Sequence, residues 1–169
     1  AVIRPILRGK DIKRYGYDWA GLWLINTHNG VKGELPPIDI TLYPAIKAHL
    51  DSYLDRIARR SDQGITPYNL RDCAYIKDFE KPKVMWKIIG CNINFCFDEK
   101  QFICNNAVNI MIGRREHLVQ FVGLMNSRLF DWYLKLTTEA EVQGGGIQLY
   151  VTTLEKTLLK LDFPQHLTD

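Results

Sequence analysis

The run Lys83-Val84-Met85-Trp86-Lys87-Ile88, with the three runs that follow it (Asn92 to Phe97, Gln101 to Cys104 and Ala107 to Ile112), decides how this chain folds. Each is short and rich in β-favouring residues, so they read as successive strands. Asp98-Glu99-Lys100 reads as a hairpin turn between two of them. Two apolar-rich helices come next. Glu116 to Met125 aligns Leu118, Phe121, Val122 and Met125; Asn126-Ser127 then caps a helix carrying Leu129, Phe130, Tyr133 and Leu134. The expected fold class is mixed α/β (α+β): a central, largely antiparallel twisted sheet with helices packed mainly on one side.

Towards the N-terminus, residues 1–7 read as a short strand that Pro5 restricts to a sheet edge. Gly21 to Asn26 reads as a buried strand closed by the polar turn from Thr27 to Gly33, and Pro36-Pro37-Ile38 as an extended connector. Tyr43 to Arg60 predicts the clearest helix. Pro44 suits its first turn, where the missing N–H was unpaired anyway, and Ile46, Leu50, Tyr53, Leu54 and Ile57 form one apolar stripe. Arg56, Arg59 and Arg60 end it, where cations meet the negative end of the dipole. A polar loop, Ser61 to Asn69, follows. Towards the C-terminus, Gly144 to Gly146 reads as a flexible hinge, Thr152 and Glu155 as a capping box, and Leu159, Leu161 and Phe163 as a final strand before Pro164. No repeat is visible, and residues 1–169 are expected to form a single domain.

The chain has 169 residues, 46% of them hydrophobic and 24% charged, as in an ordinary soluble globular protein. The net charge of +3 argues only weakly for a polyanionic partner. Its distribution says more, because Arg4, Arg8, Lys10, Lys13 and Arg14 crowd the first 17 residues against the single acid Asp11. A solvated surface face explains such a cluster equally well. Cys73, Cys91, Cys96 and Cys104 show no CxxC spacing, and His28, His49, His117 and His166 do not join them, so no metal site is expected. Free thiols in a reducing cytoplasm are the default reading. No apolar run of about 18 residues occurs, so no membrane partner is expected. The chain opens on Ala1 without an initiator Met, and is expected to be an excised piece of a longer polypeptide.

Catalytic signatures are missing from the sequence. Gly144 to Gly146 lacks the following Lys-Ser/Thr of a phosphate cradle, and no Ser or Cys stands in a nucleophile-elbow context. Asp51 and Asp55 share a solvated helix face, and Asp98-Glu99 is turn chemistry. The chain on its own is therefore expected not to be an enzyme. Two basic, aromatic-studded segments remain, Arg8 to Tyr15 and Tyr68 to Arg71 running on to Trp86. Arg and Lys carry donors for phosphates and guanine edges, while aromatic rings stack or pack.

In order, Arg4-Pro-Ile-Leu-Arg-Gly-Lys-Asp-Ile, Leu22-Trp-Leu-Ile, Tyr43-Pro-Ala-Ile-Lys-Ala-His-Leu, Tyr68-Asn-Leu-Arg, Phe79-Glu-Lys-Pro-Lys-Val, Leu124-Met-Asn-Ser-Arg-Leu and Leu161-Asp-Phe-Pro span nearly the whole chain. Together they resemble the C-terminal target recognition (specificity) domain of TaqI-like and Eco57I-like type II restriction–modification adenine methyltransferases. The resemblance implies a parent protein whose catalytic domain binds S-adenosylmethionine and methylates adenine N6. It also implies a bacterial or archaeal cytoplasmic setting. The wider group includes fused methylase–nucleases and methylase-like phage-defence proteins. The Asn-Pro-Pro-Tyr-type motif of the catalytic domain is absent here, and Asn105-Asn106 does not replace it, so no cofactor is expected on this chain. The implied partners are double-stranded DNA and the parent's own methyltransferase domain.

On that reading, Arg8, Lys10 and Arg14 and the helix end at Arg59-Arg60 are expected to meet phosphates. Asn69, Arg71, Gln143, Gln148 and Tyr150 are the candidates for base edges. Lys81, Lys83 and Lys87 add phosphate contacts or act as edge-strand lysines that block sheet aggregation. The alternatives are a protein–protein interaction module, which would dock a partner subunit through the same aromatic loops, and an RNA-binding domain, which would use the rings as stacking platforms.

Overall fold

The computed structural model describes residues 1–137, 141–142 and 146–158. In chain order the elements are β1 (Ile3–Leu7), β2 (Ile12–Lys13), β3 (Gly16–Tyr17), β4 (Trp23–Ile25), α1 (Pro44–Asp51), α2 (Leu54–Ile57), β5 (Lys83–Lys87), β6 (Ile89–Gly90), β7 (Phe95–Asp98), β8 (Ile103–Cys104), β9 (Val108–Ile112), α3 (Arg115–Met125), α4 (Arg128–Thr137), β10 (Glu141–Val142), β11 (Gly146–Gln148) and α5 (Val151–Leu158). The mixed α+β class, with mostly antiparallel pairing, is what the sequence predicts. Among the described residues the strands are distributed over four small sheets. The described residues gather into two compact units, one of residues 1–5 and 21–79, the other of residues 6–20 and those from 80 onward.

The second unit is built on β5, the middle strand of an antiparallel β7–β5–β9 sheet. Successive side chains of a strand point to opposite faces. Val84 and Trp86 join Phe95, Leu118, Val122, Met125, Phe130 and Leu134 in one core, while Met85 joins Cys96, Leu7, Ile12, Phe102 and Val108 in another. α3 and α4 thus cover one face and the β2–β3 hairpin contributes to the other. Burial on both faces is why residues 83–86 read as a continuous run rather than as alternation. Trp86 also donates its indole N–H to the Leu149 carbonyl at 3.0 Å, satisfying its polar edge within the core. Ser127 caps α4 as expected, its hydroxyl accepting from the Phe130 N–H at 3.0 Å.

Lys83 overturns its expected role. It lies opposite Asp98 in the β5–β7 register, both side chains are wholly buried, and Nζ sits 2.6 Å from the carboxylate. Neither a phosphate contact nor an edge-strand lysine describes it, because β5 has a neighbour on each side. Asp98 also accepts the N–H groups of Lys100 at 3.1 Å and Phe102 at 3.1 Å, so its oxygens hold the following turn as well as the ammonium. Burial, then the charge of Asp98, pushes the nearby Tyr17 hydroxyl up to about 12.

In the first unit the β1–β4 pair places Ile3 opposite Ile25 and Pro5 opposite Trp23. Pro5 itself borders one partner strand, as expected of a proline; the parallel pairing with β8, in the second unit, begins only at Ile6. Nor is β4 the expected buried strand, since Trp23 is 58% exposed. The long helix predicted over Tyr43 to Arg60 is interrupted. α1 ends at Asp51, Ser52 turns its hydroxyl back onto the His49 carbonyl at 2.6 Å, and α2 restarts at Leu54. A serine that back-bonds its own turn competes with helix propagation, and no residue of α1 is buried to oppose it. α5 begins at Val151, one residue ahead of the Thr152 cap expected from sequence. Gly146 opens β11 rather than serving as a hinge. Gln143, Gly144, Gly145 and the strand expected over Leu159 to Phe163 lie outside the described residues.

Candidate nucleic-acid interface

In the second unit a basic segment winds through a tight turn into the β2–β3 hairpin. Nε and Nη2 of Arg8 grip the two oxygens of Asp11 at 3.0 and 2.9 Å, and its own N–H donates to the same carboxylate at 2.9 Å. That hydrogen bonding holds the Asp11 carboxyl below the usual carboxylate range. Asp11 is 4% exposed, so the fork stabilises a buried charge and closes the turn. Asp11 takes two of the five guanidinium donors and three remain, so Arg8 closes the turn and keeps donors for the phosphate contact expected of it.

Lys10, in contrast, is exposed, and among the described residues its ammonium makes no hydrogen bond or ion pair. Lys13 donates to the Lys10 carbonyl at 3.1 Å, with Asp18 3.8 Å away. Arg14 is exposed, yet its Nε and Nη2 share the Asn126 carbonyl at 3.1 and 2.6 Å. Three of its five N–H donors remain for a ligand. Asn126 in turn exchanges hydrogen bonds with the backbone of Phe95, at 3.1 Å to its N–H and 2.8 Å to its carbonyl, and donates to Val122 at 2.9 Å. The α3–α4 junction therefore carries the hairpin. Sequence reasoning marks Asn126 only as a helix cap, because its contacts lie far along the chain.

Elsewhere in this unit Lys87 is half-buried at the end of β5. It lies so close over Gly90 that a Cβ there would come within 2.5 Å of its Cε. Gln148, in β11, donates to the hydroxyl of Tyr150, which is exposed. Gln143 lies outside the described residues.

In the first unit, Arg60 and Asn69 build the loop they were expected to present. Arg60 donates to the carbonyls of Pro67 at 2.8 Å, Asn69 at 3.0 Å and Ile57 at 3.2 Å. Asn69 is 2% exposed; its amide reaches Ile38 at 3.0 Å and His28 at 3.4 Å and accepts the Thr66 hydroxyl at 2.5 Å. An amide used this fully has nothing left for adenine, so the base-edge role expected for Asn69 is set aside. What the brace supports is the exposed flank. Arg59 and Arg56 are exposed without a partner among the described residues. Arg71 meets Asp62 at 3.1 Å, with both side chains more than half exposed. Such a pair is worth little in water and yields readily to a phosphate or a guanine edge.

Cations with donors to spare thus occur in both units, among them Lys10 and Arg14 on the hairpin segment and Arg56, Arg59 and Arg71 around the loop. Among the described residues no group of three His, Cys, Asp or Glu is placed to hold a metal ion, and no helix is long and apolar enough to cross a membrane. No curated protein matches the chain. The model of one family, the TaqI-like C-terminal specificity domain, matches residues 4–157, nearly the whole sequence. By that match, which runs through the hairpin, the braced loop and the two-faced sheet alike, the chain belongs to the TaqI-like C-terminal specificity domain family.

Proposed function

We propose that the chain selects the DNA sequence acted on by a site-specific adenine-N6 methyltransferase, and that the methyl transfer is performed by a separate catalytic domain of the same protein. The family match over residues 4–157 carries this reading, since a specificity domain implies target DNA recognition in a restriction–modification methyltransferase. Lys10, Arg14 and Arg59 serve as phosphate contacts that set register, and Arg71 as a base reader through its guanidinium fork. Gln148 and Tyr150 remain candidate base contacts, pre-oriented by their mutual hydrogen bond. S-adenosylmethionine belongs to the catalytic domain: the 169 residues contain no Gly-x-Gly-x-x-Gly turn and no Asn-Pro-Pro-Tyr run to receive it. Extrusion of the target base is likewise assigned to that domain.

Selection from a pool of random duplexes tests the reading. A single enriched motif is expected, with Arg71→Ala relaxing one position by about 1–3 kcal/mol of discrimination. Recovery of no motif, or preferential retention of single-stranded RNA over duplex in competition, would contradict it.

A further inference from the structure

The β2–β3 hairpin turns through two residues, Arg14 and Tyr15, because Lys13 pairs directly with Gly16. Tyr15 adopts φ +68°. That is the left-handed region, which a two-residue turn of this form normally gives to Gly or Asn. For an aromatic residue it is an outlier, held only where the surroundings over-determine it. Here they do. The Tyr15 N–H donates to the Phe95 carbonyl at 3.0 Å, and the preceding Arg14 is forked onto Asn126. Both anchors belong to the same buried Asn126–Phe95 exchange described above, so the tip is tied to the core of its unit.

The product of this arrangement is an exposed ring. Tyr15 is 53% accessible, and the Arg14 guanidinium carbon stands 5.1 Å from its centroid. The nearby aromatics Tyr17 and Trp19 instead turn their rings onto Phe102 at 4.9 and 5.5 Å. Tyr15 fills no core, and glycine would suit the backbone better. Its flanks are cationic, with Lys10, Lys13 and Arg14 within five residues. A rigid tip presenting an aromatic face between cations has the chemistry of a base-stacking contact to nucleic acid, where the ring supplies stacking and the cations hold the backbone.

We propose that Tyr15 is the stacking residue of this domain, its ring packing against a base step of the bound duplex while Lys10 and Arg14 hold adjacent phosphates. This rests on the DNA-recognition reading above and adds to it a residue with a distinct, non-ionic contribution.

The test compares duplex binding by the full-length protein carrying Tyr15→Ala, Tyr15→Gly or Tyr15→Phe, using a duplex with 2-aminopurine at successive positions. Ala and Gly are expected to weaken binding about tenfold or more, with the slope of log K against log salt unchanged, because a stacking contact releases no counterion. Phe should bind like the unsubstituted protein. Binding should brighten 2-aminopurine at one step, and Gly should abolish that signal while folding at least as stably, since it relieves the positive φ. Unaltered affinity in both Ala and Gly, or loss of affinity in Phe, would overturn the stacking role and leave DNA recognition standing. Failure of the unsubstituted protein to bind any duplex would overturn both.

Discussion

Lys83→Ala is expected to lower the free energy of unfolding by about 3–5 kcal/mol, the usual consequence of removing one partner from a buried ion pair. The magnitude follows from what is left behind. Asp98 would remain at zero exposure with its charge facing a cavity, still held by the N–H groups of Lys100 and Phe102. Asp98→Ala should cost at least as much, since it strands an ammonium and two backbone donors together. Because the pair is a cross-strand register contact of β5 and β7, the double substitution should cost less than the sum of the single ones. Urea denaturation followed by intrinsic tryptophan fluorescence measures all three. A loss below about 1 kcal/mol for Lys83→Ala would mean that the pair behaves as a solvated surface bridge, contrary to its burial.

Asn126→Ala is expected to cost about 1–3 kcal/mol, chiefly by leaving the Phe95 N–H buried without an acceptor. Phe95 is fully buried between Trp86, Phe121 and Phe130, so no water is at hand to replace the amide. The change also loosens the platform of the hairpin, because Tyr15 and Arg14 are both anchored at this junction. Hydrogen exchange should therefore show lost protection at the Phe95 and Tyr15 amides. Full protection at both would separate the hairpin from the α3–α4 junction.

These two residues also show how far the sequence could be read. The strands around Val84 and Trp86 and the helices through Leu118 and Phe130 were legible, because burial writes apolar residues at regular spacing. Lys83 was not: its partner lies on the neighbouring strand, and a lysine within a strand looks the same whether paired inside or solvated outside. Arg8 and Arg60 carry structural tasks that the sequence does not reveal, for a related reason. Composition reports that a cation is present, but only geometry shows whether Asp11, or the carbonyls of Pro67 and Asn69, already hold it. Asn69 looked like a base reader because loops carry recognition groups, yet this loop needed an amide to close. The helix break at Ser52 turned on one hydroxyl finding the His49 carbonyl, a choice that propensity leaves open where little is buried. Tyr15 was invisible as a special position, since a positive φ leaves no trace in residue type when the residue is not glycine. Family membership was legible as the order of motifs, from the Arg4 to Ile12 segment to Leu124-Met-Asn-Ser-Arg-Leu, and the match over residues 4–157 bears it out.

If exposed cations of this domain neutralise phosphates of a DNA duplex, as proposed, equilibrium binding of the protein to its selected duplex must weaken between about 0.05 and 0.2 M salt. With the phosphates of Lys10, Arg14 and Arg59 neutralised, log K should fall against log salt with a slope of about −2.7, and Lys10→Ala or Arg59→Ala should each make that slope shallower by about one. A binding constant that does not change with salt would contradict the account.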